Sequence, residues 1–390
     1  MSDTGQDTRS ARSTPSEKAI ASFAVPTWIH RVGGWQHRHP KAAIRLGNFD
    51  TRMAADATAD IDIRAPIYVA GLARSGTTIL LELLAEHEQV GTHQYRDFPP
   101  IFTPWLWDRW LARVPQPAET ATERAHGDGI AVTSRSPEAF EEVLWMAFFA
   151  QIHDSGHSSV LDRETSNPAF AKFYREHICK VLAVRKAHRY VAKGNYNVMR
   201  LGYLHTLFAD ARFLLPVRDP VWHIASLIKQ QRLFEAGESA HPRALEHMRR
   251  VGHFEFGLDR RAINPGDNDA VAHIQQLWAD GQEVEGWARY WALIYAAIDT
   301  HLAQDTRLAE AALVVRYEDL CSNSEATLRD VHRHCGLAID EPGLAVAAQR
   351  LQAPRYYRPA FDDAELATIR GITDATAARY GYSPDRPTPA

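Results

Sequence analysis

Ile67-Tyr68-Val69-Ala70-Gly71-Leu72-Ala73-Arg74-Ser75-Gly76-Thr77-Thr78 is the stretch on which the fold turns. An apolar run follows Pro66, two glycines punctuate the next six residues, and leucines at 80, 81, 83 and 84 carry a helix to about Glu86. Strand, glycine-bounded loop and helix in that order form an anion-binding context. The first N–H groups of the helix point into the loop, and the helix dipole favours negative charge there.

The spacing matches the nucleoside-triphosphatase phosphate loop G-x-x-x-x-G-K-[ST], with Thr77 where that loop has its lysine. Without the lysine, β/γ-phosphate handling is disfavoured and Arg74 supplies the positive charge. The same residues also fit a tight turn whose glycines serve only packing.

Working outward, the chain alternates strands and helices. Tyr190-Val191-Ala192, Phe213 to Val217 and Leu313-Val314-Val315 are strand candidates. Ser136-Pro137-Glu138 opens a helix to about Ala150, Asn167-Pro168 one to about Lys186, and Asp219-Pro220 one to about Phe234, each with proline behind a capping residue. Helices are also expected over 285–304, 324–335 and about 363–380. The alternation predicts an α/β fold, a mostly parallel central sheet with helices on both faces. Expected boundaries are a disordered tail over 1–20, a wrapping segment over 21–64 and one domain over 65–385. Residues 98–117 and 235–269 read as long irregular insertions.

Composition narrows the classes. A net charge of −4 argues against general nucleic-acid binding. Cys179, Cys321 and Cys335 are too few and too scattered for a disulfide framework or a zinc site, which points to a reducing, cytoplasmic setting with no metal. No apolar stretch is long enough to span a bilayer, and no secretory signal is evident.

Three blocks carry a family resemblance. Ala73-Arg74-Ser75-Gly76-Thr77-Thr78 resembles the 5′-phosphosulfate loop of sulfotransferases that use 3′-phosphoadenosine 5′-phosphosulfate (PAPS). The segment from Arg212 to Pro220 resembles that family's strand ending in R-[DN]-P. Its arginine, with a serine eight residues later, holds the nucleotide 3′-phosphate; those positions here are Arg218 and Ser226. Val315 to Leu320 resembles the Y-E-D-[LM] element, whose tyrosine, here Tyr317, lies near the adenine. The resemblance implies PAPS as co-substrate, PAP as product and a P-loop-like fold.

Independently of the family, two separated anion groups need two anion sites. Arg74 at one helix start and Arg218 before another supply them. Taken singly, Arg218 also reads as a helix-cap partner of a carboxylate, and Ser226 as an ordinary helix serine.

The resemblance further implies a catalytic lysine, matched by Lys193, 25 residues before Arg218. In the cytosolic small-molecule branch a histidine base follows that lysine by two residues; Asn195 stands there. The carbohydrate and tyrosylprotein branch places a Glu just after the first helix. The corresponding stretch Thr92-His93-Gln94-Tyr95-Arg96-Asp97-Phe98 has none. Candidates for the base are therefore Asp97, then His126, then His93.

Arg243, Arg249, Arg250, Arg260 and Arg261 suggest a basic cover over an anionic acceptor, or a solvated basic helix. The expected partner is a hydroxyl-bearing acceptor, a carbohydrate or lipid such as a glycolipid precursor. Homo-oligomerisation is left open. The rivals are a P-loop nucleotide kinase and a catalytically inactive PAP-binding protein.

Overall fold

A computed structural model describes residues 15–115, 121–123, 131–353 and 358–383. The first principal elements in chain order are α1 (Thr27–Arg38), α2 (Pro40–Met53), β1 (Ile67–Val69), α3 (Thr77–Ala85), β2 (Val90–Gly91) and α4 (Pro104–Leu111). There follow α5 (Glu142–Phe148), α6 (Pro168–Arg185), β3 (Arg189–Lys193), β4 (Arg212–Val217) and α7 (Pro220–Ala240). The last are α8 (Pro242–Val251), α9 (Glu283–Gln304), β5 (Ala312–Arg316), α10 (Ser324–Cys335) and α11 (Asp363–Arg379).

The five strands form one sheet in the order β2-β3-β1-β4-β5, every pair parallel. Strand residues alternate between faces, and the core divides accordingly. Tyr68, Tyr190, Phe213 and Leu215 pack with Tyr174 and Ile178 of α6 and Trp291 and Ile294 of α9. Ile67, Val69, Val191 and Leu214 pack on the other face, with Leu80 and Leu84 of α3 and Leu328 and Val331 of α10. A sheet covered on both sides explains why its central strands read as unbroken apolar runs.

β1 sits where the strand order reverses, with β3 on one side and β4 on the other. Ligands of open parallel sheets bind at such switch points, beyond the carboxyl ends of the strands.

Several expected elements differ. The helix expected from Pro137 begins only at Glu142, because Pro137 makes a bridge with Gln94 and the Glu138 N–H donates to the His93 carbonyl. Residues 235–269 are largely helical: α7 continues to Ala240, and α8 follows at Pro242. The 98–117 stretch contains α4. Within the expected tail, Glu17–Ala21 is a helical turn capped by the Ser16 side chain; residues 1–14 lie outside the described residues.

Candidate active site

The loop after β1 is held from beneath. Ser75 Oγ donates to the Leu72 carbonyl at 2.7 Å. The fully buried His223 of α7 reaches the Ala73 carbonyl through Nε2 at 2.8 Å, while its Nδ1 accepts from the Trp291 indole at 3.1 Å. That indole leaves Nε2 as the protonated nitrogen of a neutral ring. Burial drives His223 down to about 3, overriding the Ala73 hydrogen bond and helped by the Arg218 and Arg74 charges.

Gly76 has φ 106°, and a Cβ there would lie 2.8 Å from Tyr317 Cδ2, so glycine is required twice over. Arg74 also occupies the left-handed region, at φ 71°, where a side chain costs roughly 1–2 kcal/mol. That backbone carries the Arg74 Nε to 3.3 Å from Ser226 Oγ.

Arg218 leaves the end of β4, nearly buried, with its guanidinium 4.6 Å from the Tyr317 ring centre and 3.4 Å from the Arg74 carbonyl. Thus Arg74, Gly76, Arg218, Ser226 and Tyr317, drawn from three distant stretches of chain, meet in one place. The turn that delivers Arg218 is latched by Glu318. One Glu318 oxygen accepts from the Asp219 N–H at 3.0 Å, and the other from the Tyr382 hydroxyl at 2.6 Å.

On the other side of the loop lies a cavity of about 710 Å³. Ala73, Arg74, Thr77, Thr78 and Lys193 line it, and Phe23, Val25, Ile29, Phe140, Met248 and Phe256 contribute apolar wall. Lys193 pairs in register with Val69 of β1, which sets its Nζ 3.5 Å from Thr78 Oγ1. Asn195, two residues on, donates to Glu255 Oε1 at 2.7 Å, so it orders a neighbouring carboxylate.

The base candidates part company here. Asp97 is buried in an ion pair with Arg185 and accepts from the Gln94 N–H. Burial opposes its ionisation, but the His93 hydrogen bond and the Arg185 charge win and hold it at about 2. His93 is buried against His177, Nε2 to Nε2 3.1 Å. Neither Asp97 nor His93 lines the cavity. A structural cluster therefore stands where a base was expected. His126 lies outside the described residues.

Glu141 and Glu142 do line the cavity, and the reading above missed both. Glu142 is bound by both Arg200 nitrogens, at 2.7 and 2.8 Å, and by His153 at 2.7 Å. Burial opposes ionisation, yet Arg200 and His153 hold Glu142 at about 2. Glu141 is different: Oε1 accepts from Tyr174 at 2.6 Å and Tyr190 at 2.5 Å, and Oε2 has no hydrogen-bond partner among the described residues. Burial lifts the Glu141 carboxyl above the usual range, against the two phenol hydrogen bonds. The signal was two adjacent acids before an apolar helix, a costly placement without a purpose.

Most of the expected basic cover is paired with acids of the protein: Arg250 meets Glu246, while Arg243 donates to the Thr27 hydroxyl. Arg249 and Arg261 share Asp259, and Arg260 pairs with Glu283.

A family model described as the sulfotransferase family matches residues 66–261. The chain belongs to the sulfotransferase family. This sulfotransferase is 22% identical over 364 residues to the omega-hydroxy-beta-dihydromenaquinone-9 sulfotransferase Stf3 of Mycobacterium bovis, spanning 88% of this chain and 80% of that one. The Stf3 of Mycobacterium tuberculosis aligns over the same 364 residues at the same 22% identity. Among solved structures, sulfotransferase STF9 from Mycobacterium avium superposes with a TM-score of 0.49 at 13% identity, covering 86% of this chain and 82% of that one. STF1 from Mycobacterium tuberculosis gives a TM-score of 0.44 at 15% identity over 94% of this chain and 99% of its own. Among the described residues of this sulfotransferase, no group of three or more His, Cys, Asp or Glu side chains is placed to hold a metal ion, and no helix is long and apolar enough to cross a membrane.

Proposed function

We propose that this enzyme transfers the sulfonate of PAPS to the hydroxyl of an apolar, lipid-like acceptor. The observation that carries the reading is the junction at Arg74. On one side it meets Ser226, beside Arg218; on the other it borders a largely apolar cavity that contains Lys193. Two anion sites on one arginine suit a nucleotide with phosphates at both ends of its ribose. The apolar wall suits an acceptor with a hydrocarbon body. The Stf3 relatives, named for a hydroxylated menaquinone, point the same way.

In this reading Ala73 to Thr78 hold the 5′-phosphosulfate, Arg218 and Ser226 bind the 3′-phosphate, and Tyr317 stands beside the base. The acceptor oxygen attacks sulfur in line with the bridging oxygen. A new S–O bond forms, the S–O bond to the 5′-phosphate breaks, and PAP leaves with the electron pair. Lys193 stabilises the charge arriving on that bridging oxygen. Glu141 takes the acceptor proton: like Glu255 it lines the cavity with one oxygen uncommitted, and burial raises its proton affinity. The three free cysteines keep the cytoplasmic setting as the expectation.

The test is calorimetric titration with PAP, AMP and ATP–Mg²⁺. Tight PAP binding with much weaker AMP binding is the expected result. A preference for ATP–Mg²⁺ would replace the reading with a nucleotide kinase. PAP binding without turnover of any hydroxylated lipid would leave an inactive PAP-binding protein.

A further inference from the structure

Eleven large apolar side chains are exposed among the described residues, and six of them lie on α1 and α2. Scattered exposed apolar residues are ordinary; concentration on neighbouring helices is not. The positions have helical spacing. Trp28, Val32 and Trp35 form one stripe on α1, and Leu46, Phe49 and Met53 form one on α2. Trp28 and Met53 are 51% and 54% exposed, so these rings and chains stand in water rather than in a shallow groove. The buried side of α2 is a separate stripe, Ala43, Gly47, Asp50 and Ala54. The outward stripe is therefore not core that has slipped. Trp110, 50% exposed on α4, extends the apolar surface where α4 packs against α2.

The charges flanking the stripes have one sign. Arg31, Arg38, Lys41, Arg45 and Arg52 are exposed on the two helices. The sole acid on either, Asp50, is buried: it pairs with Lys180 at 3.1 Å and accepts from the Leu106 N–H at the start of α4 at 2.8 Å. In a chain of net charge −4, two consecutive helices with five exposed cations and only a buried acid of their own depart from the average; the acid that does approach α1 is Glu246 of α8, 3.8 Å from His30. Exposed tryptophan, phenylalanine and leucine bordered by arginine and lysine suit the boundary of an anionic bilayer, where the rings sit among head groups and the cations meet lipid phosphates. A partner protein would have to match both an apolar stripe and a uniform positive charge; an anionic membrane surface supplies both.

We propose that α1 and α2 form a docking face that seats this enzyme on an anionic lipid bilayer. The other flank of α1 gives the contact a purpose. Ile29 of α1, with Val25 and Pro26 just before it, lines the same cavity as Arg74 and Lys193. The helix that lies on the lipid is therefore a wall of the chamber that receives the acceptor. A lipid alcohol can lift its hydroxyl into the cavity while its tail stays in the bilayer. This last step rests on the lipid-acceptor reading given above; the docking itself does not.

The full chain would be floated with vesicles of phosphatidylcholine alone and of phosphatidylcholine doped with phosphatidylglycerol, at low and high salt. Binding to the anionic vesicles, weakened by salt, is expected. The triple variant Trp28→Ala, Phe49→Ala and Trp35→Ala, and separately Arg31→Glu with Arg45→Glu and Arg52→Glu, should each lower the bound fraction's apparent affinity at least about tenfold. PAP affinity, measured on the same samples, should stay unchanged and certifies folding; the charge-reversed set serves if the apolar set fails that check. Absence of wild-type binding, binding as tight as wild type by both variant sets, or concentration-dependent dimerisation abolished by the same substitutions would each overturn the proposal. Failure of wild-type PAP binding, by contrast, would sink the sulfonate-transfer reading and leave the vesicle result standing by itself.

Discussion

At the scale of single residues, ionisation is divided between neighbours that look alike. Glu141 and Glu142 are adjacent, buried and beside one cavity, yet Arg200 commits Glu142 to the charged state while Glu141 is held toward the protonated one. The Glu141→Gln variant should lower kcat by about 10²–10⁴-fold while leaving PAP affinity near wild type. A base works only when deprotonated, so wild-type kcat should fall as pH drops through the raised Glu141 value, and this limb should vanish in the variant. A variant that keeps the acid limb would move the role elsewhere, with Glu255 beside Asn195 the next to test. Arg218→Ala should weaken PAP binding by about 1.5–3 kcal/mol, the scale of hydrogen bonds to a charged group, in titration calorimetry. Unaltered affinity would remove Arg218 from the nucleotide site.

Among elements, the phosphate loop was legible in the sequence, and its supports were not. Glycine, arginine and threonine at fixed offsets after an apolar run announce a loop because the backbone there needs them. Arg218, Ser226 and Tyr317 were reached through their blocks, and the structure brings all three to Arg74 or Gly76. His223, Trp291 and Tyr382 gave no comparable signal, since each acts by a contact between residues far apart in the chain; Glu318 lay within the Y-E-D element, but its role as a latch did not show. Asp97 and His93 illustrate the converse. Position after the first helix suggested chemistry, but Arg185 and His177 turn the pair inward. Gly76→Ala tests the loop as an element. Its φ and the 2.8 Å approach to Tyr317 predict displacement of that ring, with PAP affinity falling about tenfold or more by titration. A neutral result would mean that the ring moves freely.

For the molecule as a whole, two buried ion pairs brace the interior, and one of them, Glu142 with Arg200, stands at the cavity wall. Asp97 with Arg185 and Glu142 with Arg200 both have carboxyls depressed to about 2. A depressed carboxyl contributes stability above its unfolded value and loses it as pH falls toward the folded one. The protein should therefore lose roughly 2–3 kcal/mol per pair between about pH 4.5 and pH 2. Thermal melts across that window, with Asp97→Asn removing part of the slope, check it. A melting temperature flat down to pH 2 would show that neither pair matters to acid stability.

The latch from Tyr382 to Glu318 to Asp219 has a bearing on how the chain matures. During synthesis β1 and its loop leave the ribosome before the groups that brace them: Trp291 behind His223, Tyr317 over Gly76, and Tyr382 on Glu318. A nascent chain can thus assemble strands and bury leucines before the loop after β1 has its braces. A product cut short between residues 320 and 381 would keep all five strands of the sheet and Tyr317, yet lose the Tyr382 hydroxyl from Glu318, and the turn that delivers Arg218 would be the looser for it.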